Sequence, residues 1–139
     1  MICFAPLIMA GYLMTVQTSW HHTENVDGMI IDVQTCETGL GLHVRGTTSG
    51  LYGLGTQYGF TYQFDDKWSL TFQPRAGFSY TSTPRYELPA TTQFELGSQL
   101  ILGYGDMRVS LDYWHLSNAG LVDPNIGLDT ISLMAGWRF

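Results

Sequence analysis

Three polar side chains near the C-terminal end of the sequence have the residue types of a nucleophilic hydrolase. Ser117 carries a hydroxyl, His115 lies two positions before it, and Asp129 follows beyond a stretch of loop-forming residues. A serine activated by an imidazole, which a carboxylate orients, is the chemistry of a Ser-His-acid triad. The alternative is that these residues are separately solvated at the rim of a loop. Which of the two applies depends on the elements that carry them.

The sequence from residue 40 onward alternates between apolar and small polar side chains with a period of two, which is typical of amphipathic β-strands. It predicts about five consecutive antiparallel strands of roughly 10 to 14 residues. The alternation that indicates them covers residues 52–64, 68–80, 94–104, 108–113 and 130–139. Polar turn residues predict short connections at 65–67 and 105–106, and longer loops around Pro84 and Pro89 and at 118–128.

Each predicted strand has one apolar, aromatic-rich face and one face of Gly, Ser, Thr, Gln and charged residues. The charged residues on the polar face are Arg75, Glu95, Arg108, Asp112 and Arg138. Because only 13% of the residues are charged, the polar face would be a poor water-exposed surface, which disfavours a soluble barrel or sandwich. We therefore expect an all-β, antiparallel up-and-down transmembrane β-barrel whose polar face lines the interior.

Aromatic residues and the C-terminus support a barrel in a membrane. Aromatic side chains at predicted strand ends suit the girdles at membrane interfaces, namely Tyr52, Trp68, Tyr80, Tyr104 and Trp137. The chain ends on Phe139 at the close of an amphipathic strand. Such an end resembles the signal by which outer-membrane barrels are recognised, and it makes the outer-membrane insertion machinery an expected partner.

The first 50 residues carry a weaker pattern. Residues 1–20 begin with the apolar stretch Met1–Met14, which fits either a signal-like segment or a first strand. Thr15–His22 could instead be the first strand, Met29–Val33 could be a separate strand or part of a longer one, and residues 38–46 read as a strand. Since bacterial single-chain barrels have even strand numbers from about eight upward, we expect eight strands in one domain, residues 1–139.

Composition excludes several classes of protein. The chain has 6 Lys and Arg against 12 Asp and Glu, for a formal charge of -6, so no nucleic-acid partner is expected. Its two cysteines are far apart, which excludes a disulfide scaffold and a CxxC metal site. His21 and His22 lie near Glu24, but adjacent residues on a strand point to opposite faces, so no metal site is expected there.

The same alternation places the three polar residues on one outward patch. His115 and Ser117 continue the apolar face of Leu111 and Tyr113, and Asp129 shares the apolar face of the last strand. Asp129 is the one charged residue on the apolar face of the last five predicted strands. A carboxylate in an apolar setting is costly unless it is paired. If the loop is centred near Val122, His115 lies opposite or diagonal to Asp129, within reach.

The segment also resembles a known family. The residues that carry the resemblance are His115-Leu116-Ser117-Asn118-Ala119-Gly120-Leu121, Pro124-Asn125, Gly127 and the acidic residue Asp129. They are similar to the motif of the PagL-type lipid A 3-O-deacylases, and the strong similarity covers roughly residues 94–139. The resemblance implies an eight-stranded outer-membrane barrel that hydrolyses the ester-linked acyl chain at the 3-position of lipid A, with its active site on the outside.

The resemblance also assigns roles to particular residues. It implies that His115 and Ser117 are catalytic and that Asp129 is the acid, where the family typically has Glu. Asparagines near the oxyanion fall on Asn118 and Asn125, with Gly120 in the same loop. No cofactor is required for this chemistry. Acyl chains are expected to lie along the apolar face that bears Val109, Leu111, Ile131 and Leu133.

The implied substrate is lipid A, or lipopolysaccharide, among outer-membrane lipids. The implied location is the outer membrane of a Gram-negative bacterium, with either the bacterium or a phage that modifies its envelope as the source. The sequence leaves the oligomeric state open, a dimer included. One alternative is a non-catalytic outer-membrane barrel, structural or adhesive, that retains the motif, which the aspartate at 129 favours. The other is a soluble lipid-binding barrel of the lipocalin type.

Overall fold

The computed structural model describes residues 5–16, 27–82, 92–118 and 127–139. The described residues form eight β-strands and no helix. Their bounds are β1 (Leu7–Val16), β2 (Gly28–Gln34), β3 (Gly39–Thr47), β4 (Leu51–Gln63), β5 (Trp68–Thr81), β6 (Thr92–Tyr104), β7 (Met107–Ser117) and β8 (Leu128–Arg138). Within these ranges there is accordingly no helix long and apolar enough to span a bilayer.

The strands close into an antiparallel barrel. Each strand pairs with the next along the chain, and β8 returns to pair with β1, with Leu7 opposite Arg138. Among the strands that the structure describes, this closure leaves no edge strand. The predicted eight-stranded, up-and-down β-barrel is therefore confirmed. The five strands predicted from residue 40 onward correspond to β4–β8.

The first third of the chain corrects one expectation. The first strand begins at Leu7, not at Thr15, so Thr15–His22 is wrong as the first strand, and its residues 17–22 lie outside the described part of the chain. The apolar start thus supplies β1 from residue 7 onward. Residues around Met29 and those around Leu42 form the two separate strands β2 and β3, joined by a short turn at 35–38.

Side chains alternate between the outer wall and the interior along the middle of the strands. On β6, the side chain of Leu96 is 60% exposed, whereas Glu95 beside it is 1% exposed and lies inside the barrel. Of the charged residues predicted to be interior, Arg75, Arg108 and Asp112 are also buried. Arg138 has the interior parity but lies at the barrel end, where it is 42% exposed, because β8 stops there.

A connected set of ion pairs fills the middle of the interior. Arg45 on β3 contacts Glu95 at 2.9 Å and Asp112 on β7 at 3.1 Å. His43 Nε2 lies 2.7 Å from Glu95, and Arg75 on β5 reaches both Asp112 and Asp32. Buried charges are tolerated only when they are paired in this way. This interior ion-pair network therefore joins β2, β3, β5, β6 and β7.

The interior is not polar throughout. Trp114 and Leu116 on β7 point inward together with Leu128 on β8, and all are buried. Leu116 lies directly opposite Leu128 in the β7–β8 ladder. The wall that carries His115 and Asp129 on its outside is thus backed by apolar packing on its inside.

The short turn between β4 and β5 is held by Asp65. Its Oδ1 accepts hydrogen bonds from the backbone N–H groups of Trp68 at 2.8 Å and Lys67 at 2.7 Å. These two donors favour the charged form and hold the pKa of the Asp65 carboxyl below its usual value. The turn lies at the same end of the barrel as 35–38 and 105–106, which we call the turn end. The opposite end, with the connections after β1, β3, β5 and β7, is the loop end.

Candidate active site

The two strands β7 and β8 bring a histidine and a carboxylate together on the outer wall. Alternation along β7 turns Tyr113, His115 and Ser117 outward, and it turns Asp129 outward at the start of β8. His115 lies directly opposite Asp129 in the antiparallel ladder. Because directly opposite residues have Cβ atoms about 4.5–5.5 Å apart, even a short acidic side chain can reach the imidazole.

The side chains do meet. His115 Nδ1 lies 2.9 Å from Asp129 Oδ1, with the His115 side chain 41% exposed and that of Asp129 16% exposed. The prediction that these residues face each other is confirmed, and the shorter acid spans the gap. When Nδ1 donates its proton to Asp129, Nε2 is the ring nitrogen that can accept a proton from another group.

Ser117 is the last residue of β7 and lies on the same outer face as His115. Two residues along a strand advance by about 6.6 Å, so the serine is the next outward residue beyond the imidazole toward the loop end. Its neighbour across the β6–β7 ladder is Phe94, and that of His115 is Leu96. On the β6 side, serine and imidazole are therefore both next to apolar side chains.

A residue that the sequence analysis missed completes this cluster. The hydroxyl of Tyr113 donates a hydrogen bond to Asp129 Oδ1 at 2.6 Å. The sequence pattern places Tyr113 on the apolar face, because its parity matches that of Leu111. The same parity, two positions before His115, was the available signal that its hydroxyl could reach the carboxylate.

The predicted oxyanion residues are only partly within the described structure. Asn118 directly follows β7 and is 2% exposed, so its side chain does not lie on the open outer surface. Gly120 and Asn125 fall outside the described residues. Gly127, just before β8, has a φ of +76°. Within the described residues there is no group of His, Cys, Asp and Glu side chains suited to a metal ion. His21, His22 and Glu24 lie outside the described residues.

An apolar depression opens on the outer wall beside the cluster. Its volume is about 770 Å³, within the range of ligand sites. Thr56 and Ala76 face each other across β4 and β5 and form a low floor. The larger side chains around them are Leu54, Phe78, Phe94 and Leu96. Phe94 is the cross-strand neighbour of Ser117, and Leu96 is that of His115. The depression therefore begins next to Ser117 and His115.

The cluster lies close to the loop end of the barrel. Ser117, Phe94 and Phe78 form one cross-strand row, and the next row toward the loop end contains Tyr80 and Tyr52, which pair with each other. At the turn end, Trp68 packs on Tyr104 with ring centroids 4.8 Å apart. Exposed aromatic residues thus mark both ends of the outer wall, and Ser117 lies one row inside one of them.

The structure defines a closed eight-stranded antiparallel barrel that carries a histidine–carboxylate pair and a serine on its apolar outer wall. A family model described as lipid A 3-O-deacylase (PagL) matches residues 9–138 of the chain. The chain therefore belongs to the PagL family. The resemblance inferred from the motif around His115 is confirmed by this match over nearly the whole sequence.

Solved structures show the same fold. The crystal structure of the outer membrane enzyme PagL covers 94% of this chain and 98% of its own, at a TM-score of 0.63 and 19% sequence identity. Ail, the attachment invasion locus protein of Yersinia pestis, covers 99% of each chain at a TM-score of 0.53 and 15% identity. No curated protein sequence matches the chain. At these identities the structural matches define the barrel fold alone.

Proposed function

We propose that the protein is an outer-membrane esterase that hydrolyses the 3-O-linked acyl chain of lipid A. The observation that carries the proposal is the contact between His115 Nδ1 and Asp129 at 2.9 Å, on the apolar outer wall and beside Ser117. Membership of the lipid A 3-O-deacylase family supports the substrate class. In this proposal Ser117 is the nucleophile, His115 the general base and Asp129 the acid that orients it.

The reaction follows the logic of serine esterases. Ser117 Oγ attacks the ester carbonyl while His115 Nε2 takes the hydroxyl proton. The tetrahedral intermediate collapses to an acyl-serine, and His115 returns the proton to the leaving sugar hydroxyl. A water then attacks the acyl-serine, giving up its proton through His115, and the fatty acid leaves as Ser117 regains its hydrogen. Asp129 holds the Nδ1–H tautomer and stabilises the imidazolium.

The oxyanion needs donors near Ser117. Backbone N–H groups at 118–120, or the side-chain amides of Asn118 or Asn125, fill this role in the proposal. Asn118 is 2% exposed in the structure, so a role for its side-chain amide in this proposal requires the residue to turn toward the substrate.

An outward site suits a substrate that is itself a membrane lipid. A lipid ester lies at the boundary between headgroups and acyl chains, and Ser117 lies one row from the exposed Tyr52–Tyr80 pair, where interface aromatics are expected. The depression over Thr56 and Ala76 offers an acyl chain a place beside β6. This differs from the path over Val109 and Leu133 expected from the sequence, although both of those side chains also lie on the outer wall.

Exposed apolar side chains around the barrel support a membrane location. The described outer wall is covered with them, for example Leu54, Phe72, Leu96 and Leu133, which a water-soluble monomer rarely tolerates. We therefore place the protein in the outer membrane of a Gram-negative bacterium. A lipocalin-type barrel would instead direct its apolar face inward.

The second candidate is a non-catalytic outer-membrane barrel. The barrel fold shared with Ail is compatible with this candidate. The aspartate at the position of the family's usual glutamate favours it. The two candidates differ in chemistry at Ser117 and not in architecture.

Mass spectrometry of lipid A separates them. The protein is expressed in a Gram-negative host whose lipid A carries a 3-O-linked acyl chain. We expect lipid A to lose that chain with the wild type but not with Ser117→Ala, and heat-modifiable migration on gels shows that both barrels fold. Ser98→Ala, which removes another outward hydroxyl on neighbouring β6, should keep the activity. Equal deacylation by wild type and Ser117→Ala contradicts the serine mechanism, and none by the wild type favours the non-catalytic barrel.

A further inference from the structure

We propose that Tyr113 is a positioning residue, which holds the Asp129 carboxylate in the orientation that serves His115. The proposal rests on the proposed esterase function, because it assigns a role at the same site. It starts from a contact that the triad does not need: the Tyr113 hydroxyl donates to Asp129 Oδ1 at 2.6 Å. The same oxygen lies 2.9 Å from His115 Nδ1. One carboxylate oxygen therefore joins the phenol and the imidazole.

The surroundings of Asp129 explain why such a donor matters. In β4–β8 the outward positions hold apolar and neutral side chains, and Asp129 is the charged exception. A carboxylate on an apolar wall is costly unless hydrogen-bond donors compensate for lost water. A phenol suits this task because it is a neutral donor, so it stabilises the charge without taking the place of the imidazole.

The ladder geometry selects a tyrosine at this position. Tyr113 lies directly opposite Ile131, so Asp129 is its diagonal neighbour across the β7–β8 pair. Diagonal neighbours are about 7–8 Å apart, which an aromatic side chain spans and a serine or threonine does not. His115, directly opposite Asp129, closes the shorter gap. Two side chains of different length thus converge from adjacent outward positions on one acid.

The hydrogen bond from Tyr113 affects the reaction by fixing the orientation of the Asp129 carboxylate. An aspartate carboxylate can rotate about its terminal bond, which would swing Oδ1 away from the imidazole. A second hydrogen bond from a residue on the same strand as His115 opposes that rotation. Tyr113 therefore acts through Asp129 on the ring orientation of His115, and its loss should lower kcat while leaving substrate binding intact.

Kinetics with a lipid ester in mixed micelles test the role. Tyr113→Phe keeps the ring and removes the hydroxyl, and we expect kcat to fall about tenfold, which corresponds to the loss of one hydrogen bond to a charged group, with KM unchanged. Tyr52→Phe, an outward tyrosine on β4 at the loop end, is the matched control and should leave kcat unchanged. In an Asp129→Asn background, Tyr113→Phe should lower kcat no further. An unchanged kcat in Tyr113→Phe, or a full additional fall in the double variant, overturns the proposal.

A second measurement does not depend on turnover. In 15N-histidine-labelled protein in detergent micelles, a His115 Nδ1–H held by Asp129 gives a strongly downfield proton resonance, assigned by its loss in His115→Ala. We expect Tyr113→Phe to weaken or broaden this resonance and Tyr52→Phe to retain it. An identical resonance in Tyr113→Phe refutes the positioning role. If wild type and Ser117→Ala are equally inactive on lipid esters, the proposed function fails, while the resonance still reports on Tyr113. Heat-modifiable migration confirms that each variant folds.

Discussion

The imidazole of His115 occupies the space that a side chain at Gly127 would need. A Cβ at residue 127 would lie 2.9 Å from His115 Cε1 and 3.2 Å from the Leu116 carbonyl oxygen. The backbone of Gly127 also has a φ of +76°, which L-residues with a side chain rarely adopt. Glycine therefore both turns the chain into β8 and leaves room for the ring that Asp129 orients.

Gly127→Ala should impair hydrolysis more than folding. The added methyl group must displace the His115 ring, and a displacement of about 1 Å at a catalytic group can lower the rate by roughly 10²-fold. The measurement is deacylation of lipid A by folded protein. Gly39→Ala is the control, because Gly39 has a φ of +79° with nothing within 4 Å of an added Cβ. Equal rates for the two folded variants would contradict a displacement of His115 by the added methyl group.

Asp129→Asn should reduce the rate by a factor of roughly 10² to 10⁴, because the charge that orients and stabilises the imidazolium is lost. Asp129→Glu should retain activity within about tenfold, since it keeps the charge and restores the family's usual acid. Because the aspartate oxygen already lies 2.9 Å from His115 Nδ1, the longer glutamate side chain must bend to make the same contact. Rates are measured on the same lipid ester. An unchanged rate in Asp129→Asn would reduce the site to Ser117 and His115.

Ala76→Phe should discriminate between two paths for the acyl chain. It fills the floor of the depression beside Phe94 and Leu96, so hydrolysis of long-chain esters should fall relative to that of short-chain esters. Leu111→Phe, on the alternative path over β7, should leave this ratio unchanged. The reverse result would place the chain along the face of Leu111 and Leu133 instead.

Arg45→Ala should destabilise the barrel without touching the outer wall. Arg45 bridges Glu95 and Asp112 inside and lies with its guanidinium 3.2 Å from the centroid of the Trp114 ring. Removal of one partner from a buried charge network costs about 3–5 kcal/mol. The control is Arg138→Ala, whose half-exposed ion pairs should contribute about 0–1 kcal/mol. The stabilities of the two variants are compared by their urea-unfolding midpoints in lipid vesicles. Similar midpoints for Arg45→Ala and Arg138→Ala would contradict a stabilising role of the interior ion-pair network.

Much of the wall was predictable because a strand has only two faces. Once Tyr52, Phe72 and Leu100 defined the apolar face, parity assigned His115 and Asp129 to it, and the antiparallel register then placed them opposite each other. The position of β1 was less predictable, because the apolar start of the chain and Thr15–His22 offered competing strands with no clear alternation.

Other features depend on distances that parity does not give. Tyr113 matched the aromatic residues expected on a lipid-facing wall, and only the diagonal contact of 2.6 Å to Asp129 distinguishes it from them. Trp114 and Leu116 broke the rule that inward positions are polar, since packing behind β7 is decided by neighbours such as Leu128 on another strand.

The wall of this barrel is one strand thick, and neighbouring residues on β7 belong to separate environments. Trp114 and Leu116 pack inside, whereas His115 and Ser117 lie outside. Within this one segment, the inward residues therefore contribute to packing, and the outward residues that alternate with them carry the reactive groups. Outward positions can be exchanged while the inward ones keep the barrel closed, so the scaffold can gain, lose or replace a reactive group on its surface without a new fold. A directed-evolution library confined to outward positions of β6–β8 would exploit that independence.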